Sequence, residues 1–455
     1  MAVPKSVDSV KNVAALIDNR PISGLQFLII AICFGIMAVD GFDTYIISYI
    51  ASSIQKEWVV KPEDMKAILS SGLLGLMVGA FIFGLLSDRL GRKVVLIISM
   101  AFFGVTTIFS ALSSSSSELT VLRFLTGLGL GGAMPAALTL TSEYCPNRRR
   151  SSLVMIMFCG FTLGSSLGGI ASAYLIEVFG WRSVLWCGGV LPLLMLPITI
   201  RFLPESVRYL ALKQEKPEAV RRLMQRIAPK EDFSGVKFVV METEQGKAMS
   251  TLFRRSLLKG TLLLWLGFFM SLMSMFLFAN WLPMLLDMMG MSLKEASLIA
   301  MMFTFGGTVG AVILGVLMDK LSQAKVLCLS FSCAAGFIAL LGRLPALPWL
   351  FALMVFLAGI CLSGSQVGIN ALATSFYPVD CRGIGVSWAN SVGRSGAVMG
   401  SMIGGWMLVM EFDHSTIFLL TGMPALMTGG AMFLLSRQDS FAMQRQPSAT
   451  AISSG

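Results

Sequence analysis

The stretch from Phe27 to Ile50 reads FLIIAICFGIMAVDGFDTYIISYI. It is long enough to cross a bilayer as a helix, since about 20 apolar residues span the hydrocarbon. Two carboxylates, Asp40 and Asp43, stand inside it. An ionised side chain at that depth costs about 3 kcal/mol or more, so such residues are rare there and face a protein interior. Three residues apart, the two aspartates share one side of a helix. The run therefore predicts a membrane helix with a polar stripe turned away from lipid, in a protein that moves something charged.

The remaining sequence extends this pattern. Of 455 residues, 55% are hydrophobic and only 13% charged, about half the charged share of a soluble domain. Apolar runs fit spans near 25–50, 66–86, 93–112, 119–142, 151–177, 182–203, 258–286, 293–317, 325–342, 348–373, 382–410 and 415–436. An all-α polytopic membrane protein with about twelve transmembrane helices is expected. The 45 glycines suit close helix packing in lipid. The eight cysteines form no CxxC pair and lie mostly in apolar runs, as small buried residues do. A single histidine, His414, excludes a His-based metal site. With no cofactor motif and no nucleophile–base set, neither an enzyme nor a bound cofactor is expected. The polar first 25 residues and the length of the first run argue against a cleavable signal peptide.

The net charge of +10 is concentrated in alternate loops. Lys5, Lys11 and Arg20 precede the first span; Arg89, Arg92 and Lys93 follow the second; Arg148, Arg149 and Arg150 follow the fourth. A dense group from Arg208 to Lys259 follows the sixth, whereas 113–118 and 411–414 hold no Lys or Arg. This distribution predicts that both termini and the long middle loop face the cytoplasm, and it explains the basic balance without a nucleic-acid partner. The expected organisation is a cytoplasmic N-terminal segment (1–24), a six-helix bundle (25–203), a cytoplasmic loop (204–257), a second six-helix bundle (258–436) and a cytoplasmic tail (437–455).

The two bundles resemble each other. Gly84-Leu85-Leu86-Ser87-Asp88-Arg89-Leu90 matches Gly315-Val316-Leu317-Met318-Asp319-Lys320-Leu321 at an offset of 231. Pro146, Arg150, Gly164 and Gly168 recur as Pro378, Arg382, Gly396 and Gly400, each 232 residues later. A shared offset in separate segments marks a duplicated six-span unit, with substrate expected near the membrane midplane at the repeat interface. Gly84-x-x-x-Asp88-Arg89-x-Gly91-Arg92-Lys93 resembles the loop signature of the major facilitator superfamily, a resemblance that covers about residues 20–437. It implies the twelve-helix carrier fold, in which Gly84, Asp88, Arg89, Gly91 and Arg92 help to close the cytoplasmic side. Asp88 is suited to cap or pair with a neighbouring helix end, and Gly91 to make the tight turn.

Other polar groups lie inside apolar runs. Arg123 precedes Gly127-Leu128-Gly129-Leu130-Gly131-Gly132; a dinucleotide fingerprint is excluded because no βαβ unit surrounds it, and helix packing accounts for the glycines. Near the end of its span, Arg123 either snorkels or turns inward to pair with Asp40 or Asp43. Arg394 lies mid-span, where its permanently charged fork suits a carboxylate. Gln366 and Asn370 share a helix face, and Asn280 and Trp281 precede Pro283; these amides suit either a ligand or interhelical hydrogen bonds.

Asp40-Gly41-Phe42-Asp43, Leu203-Pro204-Glu205-Ser206-x-Arg208-Tyr209-Leu210, and the run from Gly364 to Gly396 together resemble the aromatic acid:proton symporters of that superfamily. Tyr45 departs from the smaller or amide residues commoner there. The resemblance implies uptake of a benzoate-type acid with a proton, by a monomer in a bacterial inner membrane, in cells that use such acids as carbon sources. Asp40, Asp43 and Arg123 would then handle the proton, and Arg394 the carboxylate. Phe42, Tyr45, Trp281 and Trp388 would offer ring contacts, and Gln366, Asn370 and Asn280 polar ones. A carrier of another small organic anion is the alternative. A sugar carrier would not need Arg394, and drug antiporters typically have proline where Ser165 stands.

Overall fold

In hydrocarbon every backbone N–H and C=O must be satisfied within the segment, so apolar runs of this length form helices. A computed structural model describes residues 10–18, 20–213, 217–229, 233, 236–239, 252, 254–345, 347–378 and 381–437. The first six long helices are α2 (Gly24–Trp58), α3 (Pro62–Leu90), α4 (Arg92–Ala111), α5 (Ser116–Tyr144), α6 (Arg150–Phe179) and α7 (Arg182–Phe202). The second six are α10 (Arg255–Met288), α11 (Leu293–Lys320), α12 (Gln323–Leu341), α13 (Pro348–Phe376), α14 (Arg382–Val409) and α15 (His414–Ser436). Among the described residues, 11 helices are long and apolar enough to cross a membrane. The remaining long helix, α14, falls short of that hydropathy because it carries Ser387, Asn390, Ser391, Arg394 and Ser395. Helix α2 runs eight residues past the expected end of its span, through the amphipathic segment Ala51–Trp58.

The duplication read from the sequence reappears in the packing. In the first six helices, Gly160 and Gly164 of α6 lie against the backbone carbonyls of Phe34 and Ala38 of α2. In the second six, Gly396 and Gly400 of α14 lie against those of Phe269 and Met273 of α10. Likewise α3 meets α5 through Gly75, Gly79, Gly127 and Gly131, as α11 meets α13 through Gly306, Gly310, Gly359 and Gly364. At each of these positions a side chain would strike neighbouring backbone, so glycine is what permits the approach.

Contacts divide the chain into two compact units. One comprises Met1–Ile46, Ser71–Ala171 and Leu175–Glu242; the other comprises Ile47–Ser70, Ser172–Tyr174 and Thr243–Gly455. The second unit thus takes in the C-terminal end of α2 and the start of α3, which the six-and-six division assigns to the first bundle. Particular contacts hold them there. Lys56 Nζ lies 2.7 Å from Asp287 Oδ1 and Lys66 packs where a side chain on Gly405 would stand, while Lys294 Nζ sits 4.7 Å over the ring of Tyr174 of α6, which the second unit also takes in.

The described residues of the polar middle stretch form secondary structure. The stretch contains α8 (Val207–Lys213) and α9 (Pro217–Ile227), and a strand β2 (Lys237–Val239) pairs in parallel with β1 (Val10–Asn12), which leads into α1 (Val13–Asp18). Ile17, Leu25, Val207, Val220, Met224, Ile227 and Phe233 are buried together in the first unit's core. The apolar side of α9 explains this docking, since its Val220, Met224 and Ile227 recur at helical spacing.

Candidate functional site

The polar stripe of α2 meets α4 and α5. Asp43 is 0% and Arg123 2% exposed. Arg123 Nη1 lies 3.3 Å from Asp43 Oδ2 and 3.5 Å from Oδ1, and its Nη2 donates to the Asp43 backbone carbonyl at 3.2 Å. Thr107 of α4 donates to Asp43 Oδ1 at 2.9 Å. Glycines make the room: a side chain on Gly188 of α7 would meet Asp43 and Thr107, and one on Gly72 of α3 would approach the Arg123 guanidinium. Arg123 therefore turns inward rather than snorkelling, and its partner is Asp43. Asp40 is also buried and accepts a hydrogen bond from Thr44 at 3.3 Å. Burial disfavours an ionised carboxylate in general, and an adjacent guanidinium favours it. A group held between these two effects changes protonation when either changes.

A second polar cluster gathers at the turn between α3 and α4. Gly91 adopts φ +100°, a left-handed conformation that glycine tolerates, and a side chain there would strike the Glu205 carboxylate. Glu205 Oε1 accepts from the backbone N–H groups of Arg92 at 2.8 Å, Lys93 at 3.0 Å and Ser206 at 2.9 Å. It thus caps the N-terminus of α4, where the helix dipole favours an anion. Arg92 reaches Asp88 at 3.2 Å and approaches Glu143 at 3.8 Å, and Glu143 accepts from the Ser206 hydroxyl. Tyr209 donates to the Arg89 carbonyl at 2.7 Å, and Tyr144 to the Glu205 carbonyl at 2.6 Å. Of the two roles open to Asp88, the structure gives it pairing, with a side chain 75% exposed, and gives capping to Glu205. Gly84 lies on an open side of α3, where a side chain would meet nothing.

In the second unit, α13 and α14 meet through amides. Asn390 Nδ2 donates to Asn370 Oδ1 and to the Val386 carbonyl, each at 3.0 Å, while Asn370 Nδ2 donates to the Gln366 carbonyl at 2.8 Å. The short connection 377–381 makes the two helices antiparallel. Gln366 and Arg394 therefore lie one turn further along these same faces, each four residues from its asparagine. Gln366 and Arg394 are half-buried. Trp388 is 41% exposed and stacks on Trp265 of α10, with ring centroids 5.9 Å apart and planes at 21°.

The other expected contacts lie within helix packing. Asn280 and Trp281 are buried against α14: Asn280 Nδ2 donates to Ser401 Oγ at 3.1 Å, and Trp281 Nε1 to the Ser401 carbonyl at 2.9 Å. Of the two uses open to the Asn280 amide, the structure shows interhelical hydrogen bonding. Phe42 and Tyr45 are buried in the first unit, Phe42 near Gly168 and Tyr45 edge-on to Phe161 at 6.0 Å. The side chains of Phe42 and Tyr45 pack in the α2–α6 seam and that of Trp281 in the α10–α14 seam. Thr107, Glu205 and Asn390 enter the polar clusters without having been assigned there from sequence. The sequence signal for Thr107 is a hydroxyl pair, Thr106-Thr107, in a span whose other hydroxyls, Ser99 and Ser110, stand singly.

Buried charge in a bundle of long apolar helices with duplicated packing defines a multi-pass membrane transporter. The family model described as Major Facilitator Superfamily matches residues 33–341 and 264–453. The chain is 39% identical over 428 residues to the 4-hydroxybenzoate transporter of Acinetobacter baylyi, covering 93% of each chain. It is 41% identical over 421 residues to a gallate transporter of Pseudomonas putida, covering 92% of this chain and 94% of that one. The crystal structure of a D-xylose-proton symporter superposes with a TM-score of 0.70 at 18% identity, covering 90% of this chain and 98% of that one, which supports the fold alone. The chain belongs to the major facilitator superfamily, a family of transporters and not of enzymes.

Proposed function

We propose that the chain imports a hydroxylated aromatic carboxylate together with a proton, by alternating access. The observation that carries this reading is the pair of relatives at 39% and 41% identity, named for 4-hydroxybenzoate and gallate, matched along more than nine-tenths of the chain. The buried polar groups supply a consistent chemistry. Arg394 offers a permanently charged fork for the substrate carboxylate, and the stacked Trp265–Trp388 pair an aromatic neighbourhood. Asp43 carries the proton, with Arg123 as the competing positive charge and Thr107 holding the carboxylate in place. Protonation weakens the Asp43–Arg123 attraction, and loss of the proton restores it, so loading and unloading bias the carrier between two arrangements. Asp40 supports this stripe one turn away on α2.

The remaining features follow from the same reading. The protein works as a monomer in a bacterial inner membrane, with both termini and the middle segment in the cytoplasm and no cofactor beyond the coupling proton. The Gly91–Glu205–Arg92 cluster then belongs to the cytoplasmic gate. The organisation into 25–203 and 258–436 is the duplicated carrier core. Another small organic anion is the competing cargo.

The test uses purified protein in proteoliposomes. An inwardly directed proton gradient drives accumulation of labelled 4-hydroxybenzoate, and a protonophore abolishes it. Equilibration without accumulation would overturn symport. Uptake of muconate or another non-aromatic acid in preference to every aromatic one would overturn the substrate class.

A further inference from the structure

On the amide face of α13 and α14, the polar groups differ in how they are satisfied. Both ends of the Asn370 amide have partners, its Nδ2 on the Gln366 carbonyl and its Oδ1 receiving Asn390. Asn390 is anchored in turn to the Val386 carbonyl. The side-chain oxygen of Gln366 is shut off from solvent and has no hydrogen-bond partner among the described residues. A buried carbonyl oxygen left this way is destabilising, and only a donor relieves it. Gln366 also lies on the face that carries Asn370, one turn away, at the level of Arg394 on the neighbouring helix.

We infer that Gln366 reads a hydrogen-bond donor on the substrate ring, so that the carrier selects aromatic carboxylates bearing a ring O–H or N–H over those bearing none. The inference rests on the reading that the cargo is an aromatic carboxylate held by Arg394. It narrows the sequence expectation, in which Gln366 and Asn370 share the polar contacts: Asn370 is a positioning residue, fixed by Asn390, and Gln366 is the reader. The chemistry is asymmetric. A phenol or aniline gives Gln366 Oε1 the hydrogen-bond donor it lacks. A methoxy or fluoro group brings another acceptor, and unsubstituted benzoate brings nothing, so in both cases the oxygen stays buried and unpaired. Sites built around a hydrogen bond reject analogues that lack it more strongly than apolar pockets reject a change of size.

The test is competition against labelled 4-hydroxybenzoate in proteoliposomes holding the full chain. The competitors are 4-aminobenzoate, 4-methoxybenzoate, 4-fluorobenzoate and benzoate. In the wild type the donor-bearing acids should compete about tenfold better than the others. In Gln366→Met, which keeps length and removes the acceptor, the acids should fall within about twofold of one another. Gln366→Asn, which keeps an amide but withdraws it, should lose most of the preference and serves if Gln366→Met does not reach the membrane. Equal competition by all the acids in the wild type would overturn the inference, as would an undiminished preference in the Gln366 variants. Failure of every aromatic acid to compete would instead overturn the proposed function, so the two failures are distinguishable.

Discussion

The polar cluster of α2, α4 and α5 and the amide face of α13 and α14 are both islands of polarity in apolar helices, but they are satisfied differently. In the first, a carboxylate and a guanidinium are almost wholly buried and answer each other, with Thr107 as a further donor. In the second, the groups are half-buried, the asparagines satisfy one another, and one carbonyl oxygen is left over. A buried ion pair leaves a donor rather than an acceptor over, the Arg123 Nε–H, and a single proton alters its balance. An amide face with an unanswered acceptor barely responds to a proton and is completed by a ligand. On the proposed function, the coupling ion belongs to the first region and the cargo to the second.

Four substitutions break or sharpen that contrast. The largest effect is expected for Asp43→Asn, which leaves the Arg123 guanidinium without its counter-charge, a situation that costs about 3–5 kcal/mol. Accumulation of labelled 4-hydroxybenzoate down an imposed pH gradient should fall roughly 100-fold or more while immunoblots show the protein still in the membrane. Normal accumulation would remove Asp43 from proton coupling. Next is Arg394→Lys, where a point charge replaces a planar fork; binding of 4-hydroxybenzoate should weaken about tenfold with the pH dependence of uptake unchanged. Unaltered affinity would place the carboxylate elsewhere. Thr107→Val removes one hydrogen bond to Asp43, worth about 1 kcal/mol, and should slow proton-driven uptake about fivefold while leaving exchange without a gradient nearly intact. Equal slowing of both would mark Thr107 as a packing residue only. The smallest effect is expected for Lys56→Gln, since the Lys56 side chain is 59% exposed and such pairs contribute about 1 kcal/mol or less. Its cost should fade as ionic strength rises, which the buried Asp43–Arg123 pair should not show.

Much of the fold was legible because hydrophobic run length and backbone satisfaction leave few options in a membrane. The glycine-rich run Gly127–Gly132 could be assigned to helix packing for the same reason, and its glycines lie against α3 and α4. The inward turn of Arg123 was one of two readable alternatives, because a long side chain near a span end can go either way until its neighbours are known. Glu205 was not assigned as the cap of α4 because it lies over a hundred residues from the turn it serves, and periodicity carries no information across that distance. Asn280, Trp281, Phe42 and Tyr45 show the complementary limit. Sequence spacing tells which residues share a helix face, but not whether that face meets another helix. Ser401, which accepts from both Asn280 and Trp281, is an ordinary serine in sequence and decisive in space.

Residues 47–70 come from the first repeat in sequence and from the second unit in contacts. Anyone building hybrid carriers by recombining relatives at the middle segment would separate Lys56 from Asp287 and Lys66 from the glycine at 405 that makes room for it. The natural module for such an exchange is the second half together with the α2–α3 hairpin, grafted at Ile47 and Ser70. A parental pair that already shares these contacts should recombine freely at the middle segment, and a pair that does not should require the hairpin to travel with its partner.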